Sequence, residues 1–226
     1  YLNPKRILAI IDHHAISPSR EHSNAFVQQE VVGANATLLT EFYSKRGLIP
    51  SPLVTRLLSA AIDSNTLRLA STGTTERDKA AKLFLDSLYS DPTRLTDQLF
   101  AARTSAIHSN PQKFIVRDLD PNPLQIGCSE ILMAQLEAGK IIDLFNNHTA
   151  LLERVLLKLA SEMKVSGVSL SGLDHDEGAT YFFLIFHPSS SNLYNHLQPK
   201  ARNGYPVVHE LLSRKDIRRG LATLLV

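Results

Sequence analysis

Asp12-His13-His14 places a carboxylate and two imidazoles on successive residues at the end of the apolar run Ile7-Leu8-Ala9-Ile10-Ile11. Successive side chains on an extended backbone point to opposite sides, so His13 and His14 cannot grip one ion together. The spacing suits a division of labour in which one imidazole binds a metal and the other reaches a substrate anion. A polar strand end making ordinary hydrogen bonds would carry the same three residues. Asp63, 49 positions after His14, favours metal chemistry. It follows Leu57, Leu58 and Ile62, and an acid in such company is costly to bury unless it is paired or coordinates a metal. The competing reading is a helix-end aspartate satisfied by backbone groups of Ser64, Asn65 or Thr66. Asp12, His13 and Asp63 together form the mixed carboxylate and imidazole set of a hard dication, most naturally Mn2+ or Mg2+. Near the C-terminus, Ser213-Arg214-Lys215 sets a forked guanidinium beside an ammonium, which suits phosphate oxygens. Arg218 and Arg219 follow, and a solvated cationic helix face would look the same. His175 lies in Asp174-His175-Asp176-Glu177, an acidic cluster of metal-ligand types that reads more as an exposed turn. His108, His148, His187, His196 and His209 show no ligand spacing, and Cys128 reads as a small buried residue.

The elements that must position these groups follow from periodicity and punctuation. The run 7–11 is continuous and β-rich, as in a parallel strand buried on both faces, and ligands of open α/β sheets bind beyond such strand ends. Residues 17–24 read as a loop. Gly33-Ala34-Asn35-Ala36 leads into a helix with Leu38, Leu39, Phe42 and Tyr43 along one side and Gly47 as its C′ residue. Ser51-Pro52 opens a second helix running towards Asp63, and Thr75 caps a third that Asp91-Pro92-Thr93 breaks. A fourth covers about 95–107. Beyond Pro111 the texture changes. Residues 114–116 and 124–126 read as short strands, Asp120-Pro121-Asn122-Pro123 as a turn, 151–163 as an amphipathic helix and 181–186 as a strand. Ser189-Ser190-Ser191 reads as an exposed loop.

The 226 residues suit two domains, with a boundary near residue 110. A charged fraction of 20% and a net charge of +2, with no basic block, argue against duplex nucleic acid as a partner. The longest apolar runs fall short of a membrane span. A single cysteine fits a reducing compartment, hence the cytoplasm. No signal peptide opens the chain.

In order along the chain come Ile10-Ile11-Asp12-His13-His14, the segment with Gly33, and Leu57-Leu58-Ser59-Ala60-Ala61-Ile62-Asp63-Ser64. Thr74-Thr75-Glu76-Arg77-Asp78, Leu124-Gln125-Ile126-Gly127-Cys128-Ser129 and Ser213-Arg214-Lys215 follow. This series resembles the DHH phosphoesterase superfamily, specifically its DHHA2 branch of family II inorganic pyrophosphatases, cytosolic exopolyphosphatases and prune proteins. The resemblance implies an α/β fold: a parallel-sheet DHH domain over 1–110, lacking its N-terminal part, then a smaller mixed α/β DHHA2 domain over 111–226. It implies His13 and Asp63 as metal ligands with Asp12 in or beside the metal shell. His14, Arg214 and Lys215 are implied as the phosphate-binding, catalytic groups. Two or more divalent ions would activate a water for in-line attack.

The family's Asp-x-Asp motifs lie upstream of Asp-His-His and are absent here, so the residues are expected to be part of a longer protein. Asp120-Pro121-Asn122-Pro123 stands where the pyrophosphatases carry a lysine, and Ile126-Gly127-Cys128-Ser129 is closer to the exopolyphosphatase and prune pattern. The short interval from His14 to Asp63 points back to pyrophosphatases. The expected activity is metal-dependent release of phosphate from inorganic polyphosphate. Hydrolysis of inorganic pyrophosphate is the alternative. A catalytically incomplete scaffold binding phosphate ligands or proteins is another, and a prune-like nucleotide phosphodiesterase a more distant one. Oligomeric state is not encoded in any of these features.

Overall fold

A computed structural model describes residues 6–14, 25–90, 94–126, 129–186, 201–202 and 205–224. The expectations for 17–24, 91–93, Cys128, His187, 189–191 and His196 lie outside these residues. The chain divides into two compact units, Tyr1–Gln98 and Leu99–Val226.

In the first unit β1 (Ala9–Asp12) and β2 (Phe26–Gln29) pair in parallel, with Ala9 opposite Phe26 and Asp12 opposite Gln29. The parallel pairing matches the sequence expectation, but burial on both faces does not. Leu8 is 83% exposed, and Phe26 and Val31 are also exposed. Among the described residues β1 has one partner strand, too little sheet to enclose an apolar run. Helix α1 (Asn35–Lys45) ends before Gly47, whose φ of +63° is the left-handed C′ conformation that glycine adopts without penalty. Its buried face is Ala36, Thr37, Leu38 and Thr40, not the stripe from Leu38 to Tyr43; Leu39 and Phe42 are each 37% exposed. The threonines can be buried because each hydroxyl is satisfied, Thr37 by donating to Asp78 and Thr40 by donating to the Ala36 carbonyl.

Helix α2 (Pro52–Thr66) begins as expected, with the Ser51 hydroxyl accepting from the Val54 amide and Pro52 at the first helical position. It closes in three successive left-handed residues, Leu67, Arg68 and Leu69, none of them glycine. That strain is held by bonds from the Arg68 amide to the Asp63 carbonyl and from the Leu69 amide to the Thr66 hydroxyl. Helix α3 (Glu76–Leu88) starts in a capping box between Thr75 and Asp78. Ala34, Ala36, Leu58, Ile62, Ala81 and Leu85 form the core between these helices.

Helix α4 (Leu95–Ser109) contains the division between the units. It is followed by α5 (Pro111–Asp118), so the strand expected at 114–116 is helical. The Asn110 side chain caps α5 by accepting from the Lys113 amide, and Pro111 takes the first helical position. Those signals outrank the β preference of Phe114, Ile115 and Val116.

The second unit is built on a six-stranded sheet of order β3-β4-β5-β6-β8-β7. The strands are β3 (Asp120–Ile126), β4 (Ser129–Ala138), β5 (Gly167–Asp174), β6 (Ala179–Phe186), β7 (Ala201–Arg202) and β8 (Tyr205–Val208). The expected turn at 120–123 is the start of edge strand β3, with a register shift between Asp120 and Leu124. Pro121 and Pro123 lack the N–H a ladder needs, and an edge tolerates them. Only β4 and β5 are parallel, joined by the crossover helix α6 (Ile141–Met163), which starts ten residues before the expected 151. Alternation along the strands serves two cores. Leu132, Ala134 and Leu136 of β4 face α6 together with Tyr181 and Phe183 of β6. Ile131 and Met133 point to the other side, with Phe182 and with Ile217 of the terminal helix α7 (Arg214–Leu224).

The carboxylate of Asp78 is fully buried and accepts from the Gly33, Ala34 and Thr75 amides and the Thr37 and Thr75 hydroxyls. Burial alone would raise its pKa, but the bonds from Thr37, Thr75 and Gly33 outweigh that and hold it below the ordinary value. Next to it, Arg77 donates twice to Glu41 and once to Glu30 at the end of β2. These bonds lead the causes that hold Glu41 at about 2, against the opposing effect of burial.

Asp78→Ala is expected to lower the unfolding free energy by about 3 kcal/mol in urea titrations, because several buried donors lose their acceptor at once. Both carboxylates have depressed folded-state values, so their stabilisation is complete above the unfolded value of 4.5 for Glu41 and is lost as pH falls towards about 2. Urea titrations at pH 6, 4 and 3 should show this decline, and Arg77→Met should flatten it.

Candidate functional site

Asp12 ends β1, where extended backbone turns Asp12 and His14 to the same side. The Asp12 Oδ1 accepts from the His14 amide at 3.1 Å and lies 2.7 Å from its Nδ1. The His13 Nδ1 lies 3.0 Å from the Val32 carbonyl oxygen. A carbonyl can only accept, so Nδ1 carries the hydrogen and the Nε2 lone pair is left for a metal. The two rings meet edge to face, with centroids 4.5 Å apart. The arrangement anchors each imidazole separately while the rings touch, His13 on the Val32 carbonyl and His14 on the Asp12 carboxylate. The register of β1 against β2 supports it, because the Glu30 amide donates to the Asp12 carbonyl and Gln29 Nε2 to the His14 carbonyl.

Asp63 lies within α2, one turn before its end, and is 9% exposed. Neither helix-end backbone groups nor Asp12 and His13 hold it. Thr96 donates to Oδ2 at 3.0 Å, and the Lys82 ammonium lies 3.7 Å from the same oxygen. It lines a cleft of about 280 Å3 with Arg56, Lys82, Asp86 and Arg94. Burial raises its pKa, with Lys82 and Thr96 opposing. The donor types at Asp12, His13 and Asp63 fit a divalent ion, but the structure brings only the first two to one strand end. Among the described residues no group of three or more His, Cys, Asp or Glu side chains is placed to hold a metal.

Arg214 and Lys215 open α7, which Ser213 caps by accepting from the Asp216 amide while donating to its carboxylate. Arg214 Nη2 donates to Asp118 at 2.5 Å, whereas Lys215 is exposed. Arg218 is tied to Asp120, so the cationic face is not simply solvated. His175 is not the exposed turn residue expected: its side chain is 8% exposed, packed edge to face on Phe100 and 3.3 Å from the Thr104 hydroxyl. Sequence reasoning missed Lys82, Thr96 and Asp118. Thr96 is 33 positions from Asp63 and Asp118 is 96 from Arg214, so no local signal could have joined them.

No family model matches the chain. A probable manganese-dependent inorganic pyrophosphatase of Clostridium acetobutylicum is 30% identical over 140 residues, 60% of this chain and 45% of that protein. Its namesake in Bacillus cereus is 28% identical over 158 residues, covering 70% of this chain and 50% of the relative. A crystal structure from Methanococcus jannaschii, assigned to the family II inorganic pyrophosphatases, superposes with a TM-score of 0.70 at 17% identity. It matches 97% of this chain and 73% of its own. This chain resembles the inorganic pyrophosphatases of the DHHA2 branch in sequence and in fold. It spans about half the length of the curated relatives it matches. No helix among the described residues is long and apolar enough to cross a membrane.

A carboxylate whose burial outweighs its partners costs stability when ionised. Asp63→Asn is therefore expected to leave the unfolding free energy of metal-free protein unchanged or raise it by up to about 1 kcal/mol. A loss above about 2 kcal/mol in urea titrations would make Asp63 a structural anchor instead.

Proposed function

We propose that the intact protein to which this chain belongs is a metal-dependent phosphoanhydride hydrolase, with inorganic pyrophosphate as substrate and Mn2+ as its preferred ion. Similarity to proteins named manganese-dependent inorganic pyrophosphatases, over 60–70% of the chain, carries this reading. The Asp12-His13-His14 geometry supports it. In this reading His13 Nε2 and Asp12 bind metal, Asp63 contributes a further ligand, and His14, Arg214 and Lys215 hold phosphate oxygens. Bound ions would supply an activated water and neutralise charge on the phosphoryl group. The chain's own part is positional. The Val32 carbonyl fixes the His13 tautomer, Asp12 orients His14, and the Arg214 guanidinium offers a planar fork to a phosphate. Such preorganised donors bind the phosphate oxygens with little ordering left to do.

Inorganic polyphosphate is the second reading, favoured by the Asp120-Pro121-Asn122-Pro123 segment that replaces the pyrophosphatase lysine. Comparison of kcat/KM for pyrophosphate and for longer chains separates the two.

With Mn2+ or Mg2+ supplied, the full-length protein should release phosphate from pyrophosphate faster than from polyphosphate, and chelation should abolish the activity. Asp12→Ala and His13→Ala are each expected to lower kcat/KM by roughly 100-fold or more. Cleavage of neither substrate with Mn2+, Mg2+ or Co2+ would leave a phosphate-binding or protein-binding scaffold as the reading.

A further inference from the structure

We propose that Asp118 is a positioning residue for Arg214, fixing the angle at which its guanidinium meets a substrate phosphate. The inference rests on the phosphate-binding role proposed for Arg214. Arg214 is the first residue of α7, and its long side chain has much rotamer freedom to lose on binding an anion. Asp118 removes that freedom in advance. It is the last residue of α5, and its Oδ2 accepts both from Arg214 Nη2 at 2.5 Å and from the Gln135 amide of β4 at 2.7 Å. The carboxylate is therefore pinned to the central part of a strand before it meets the arginine.

Gln135 braces the other side as well. Its Nε2 donates to the Leu212 carbonyl at 3.3 Å, just ahead of the Ser213 cap, so one β4 residue fixes both the acid and the approach to α7. The stem of Arg214 is packed: Nε is buried and has no hydrogen-bond partner among the described residues. Stem and one nitrogen are thus set by the protein, and the fork has donors left over for phosphate oxygens. Asp118 also lines a cleft of about 400 Å3 with Arg103, Arg117, Gln135 and Glu137. A preset guanidinium binds phosphate with less ordering cost, so the effect belongs in substrate binding and not in the chemical step.

The test is a double-mutant cycle in the full-length protein with Mn2+ and pyrophosphate. Arg214→Ala should raise KM about tenfold. Asp118→Asn should raise it roughly threefold to fivefold with kcat within about twofold, the size expected for a half-exposed pair. The double variant should match Arg214→Ala alone, and Asp118→Glu should recover most of the loss. Additive effects in the double variant would overturn the inference, as would an Asp118→Asn protein with a lowered thermal midpoint but unchanged KM. A lowered KM in Asp118→Asn would show that Asp118 masks Arg214 instead of aiming it. Wild-type protein that neither hydrolyses nor binds pyrophosphate would remove the Arg214 reading itself, and this inference with it.

Discussion

The buried carboxylate of Asp78 is the constraint on which the first unit depends. A charge out of water is tolerated only if donors surround it, and five converge here from the turn at Gly33 and Ala34, from α1 and from the start of α3. The turn must approach the carboxylate so closely that a side chain at Gly33 has no room. A Cβ there would lie 2.7 Å from the Thr66 methyl and 2.8 Å from Asp78 Oδ2. The residue before this glycine is Val32, whose carbonyl takes the Nδ1 hydrogen of His13. The tautomer of the candidate metal ligand therefore depends on a carboxylate that never touches it. Arg77 works beside Asp78 on the same helix, gripping Glu30 just past β2 and Glu41 of α1. Capping, sheet register and the strand-end histidines thus belong to one polar network.

The second unit uses the same economy with the opposite polarity. Its basic terminal helix is held by acids at the end of α5 and the start of β3, through Arg214 to Asp118 and Arg218 to Asp120. A cationic run read only as a phosphate site or only as a solvated face would miss this third role, as a fastening between helix and sheet.

What could be read from the sequence was what local chemistry decides. Ser51-Pro52, Thr75 with Asp78, and Gly47 act over three or four residues, and each does what its type predicts. The triplet at Asp12 was legible as a strand end because an apolar run closing in polar residues is a local pattern. Misreadings arose where local rules competed, as at Phe114 to Val116, where β-formers were captured by the Asn110-Pro111 helix start. Burial was misjudged where it depends on distant packing: the exposed Leu8, the threonine-lined face of α1, and His175 under Phe100. The surroundings of Asp63 were the least legible, since Lys82 and Thr96 reach it from other helices.

The irregular start of β3 has a consequence for how the molecule behaves in a crowded solution. An open sheet can recruit any passing extended segment at its edges, and six strands with an apolar interior would be an effective template. Here one margin carries two residues that cannot donate a ladder bond, set in a register break, with Arg218 clamped across Asp120. Along the described residues of β3 there is no long, regular run for a foreign strand to zip onto. The β3 margin is thus closed by its own chemistry against a foreign strand.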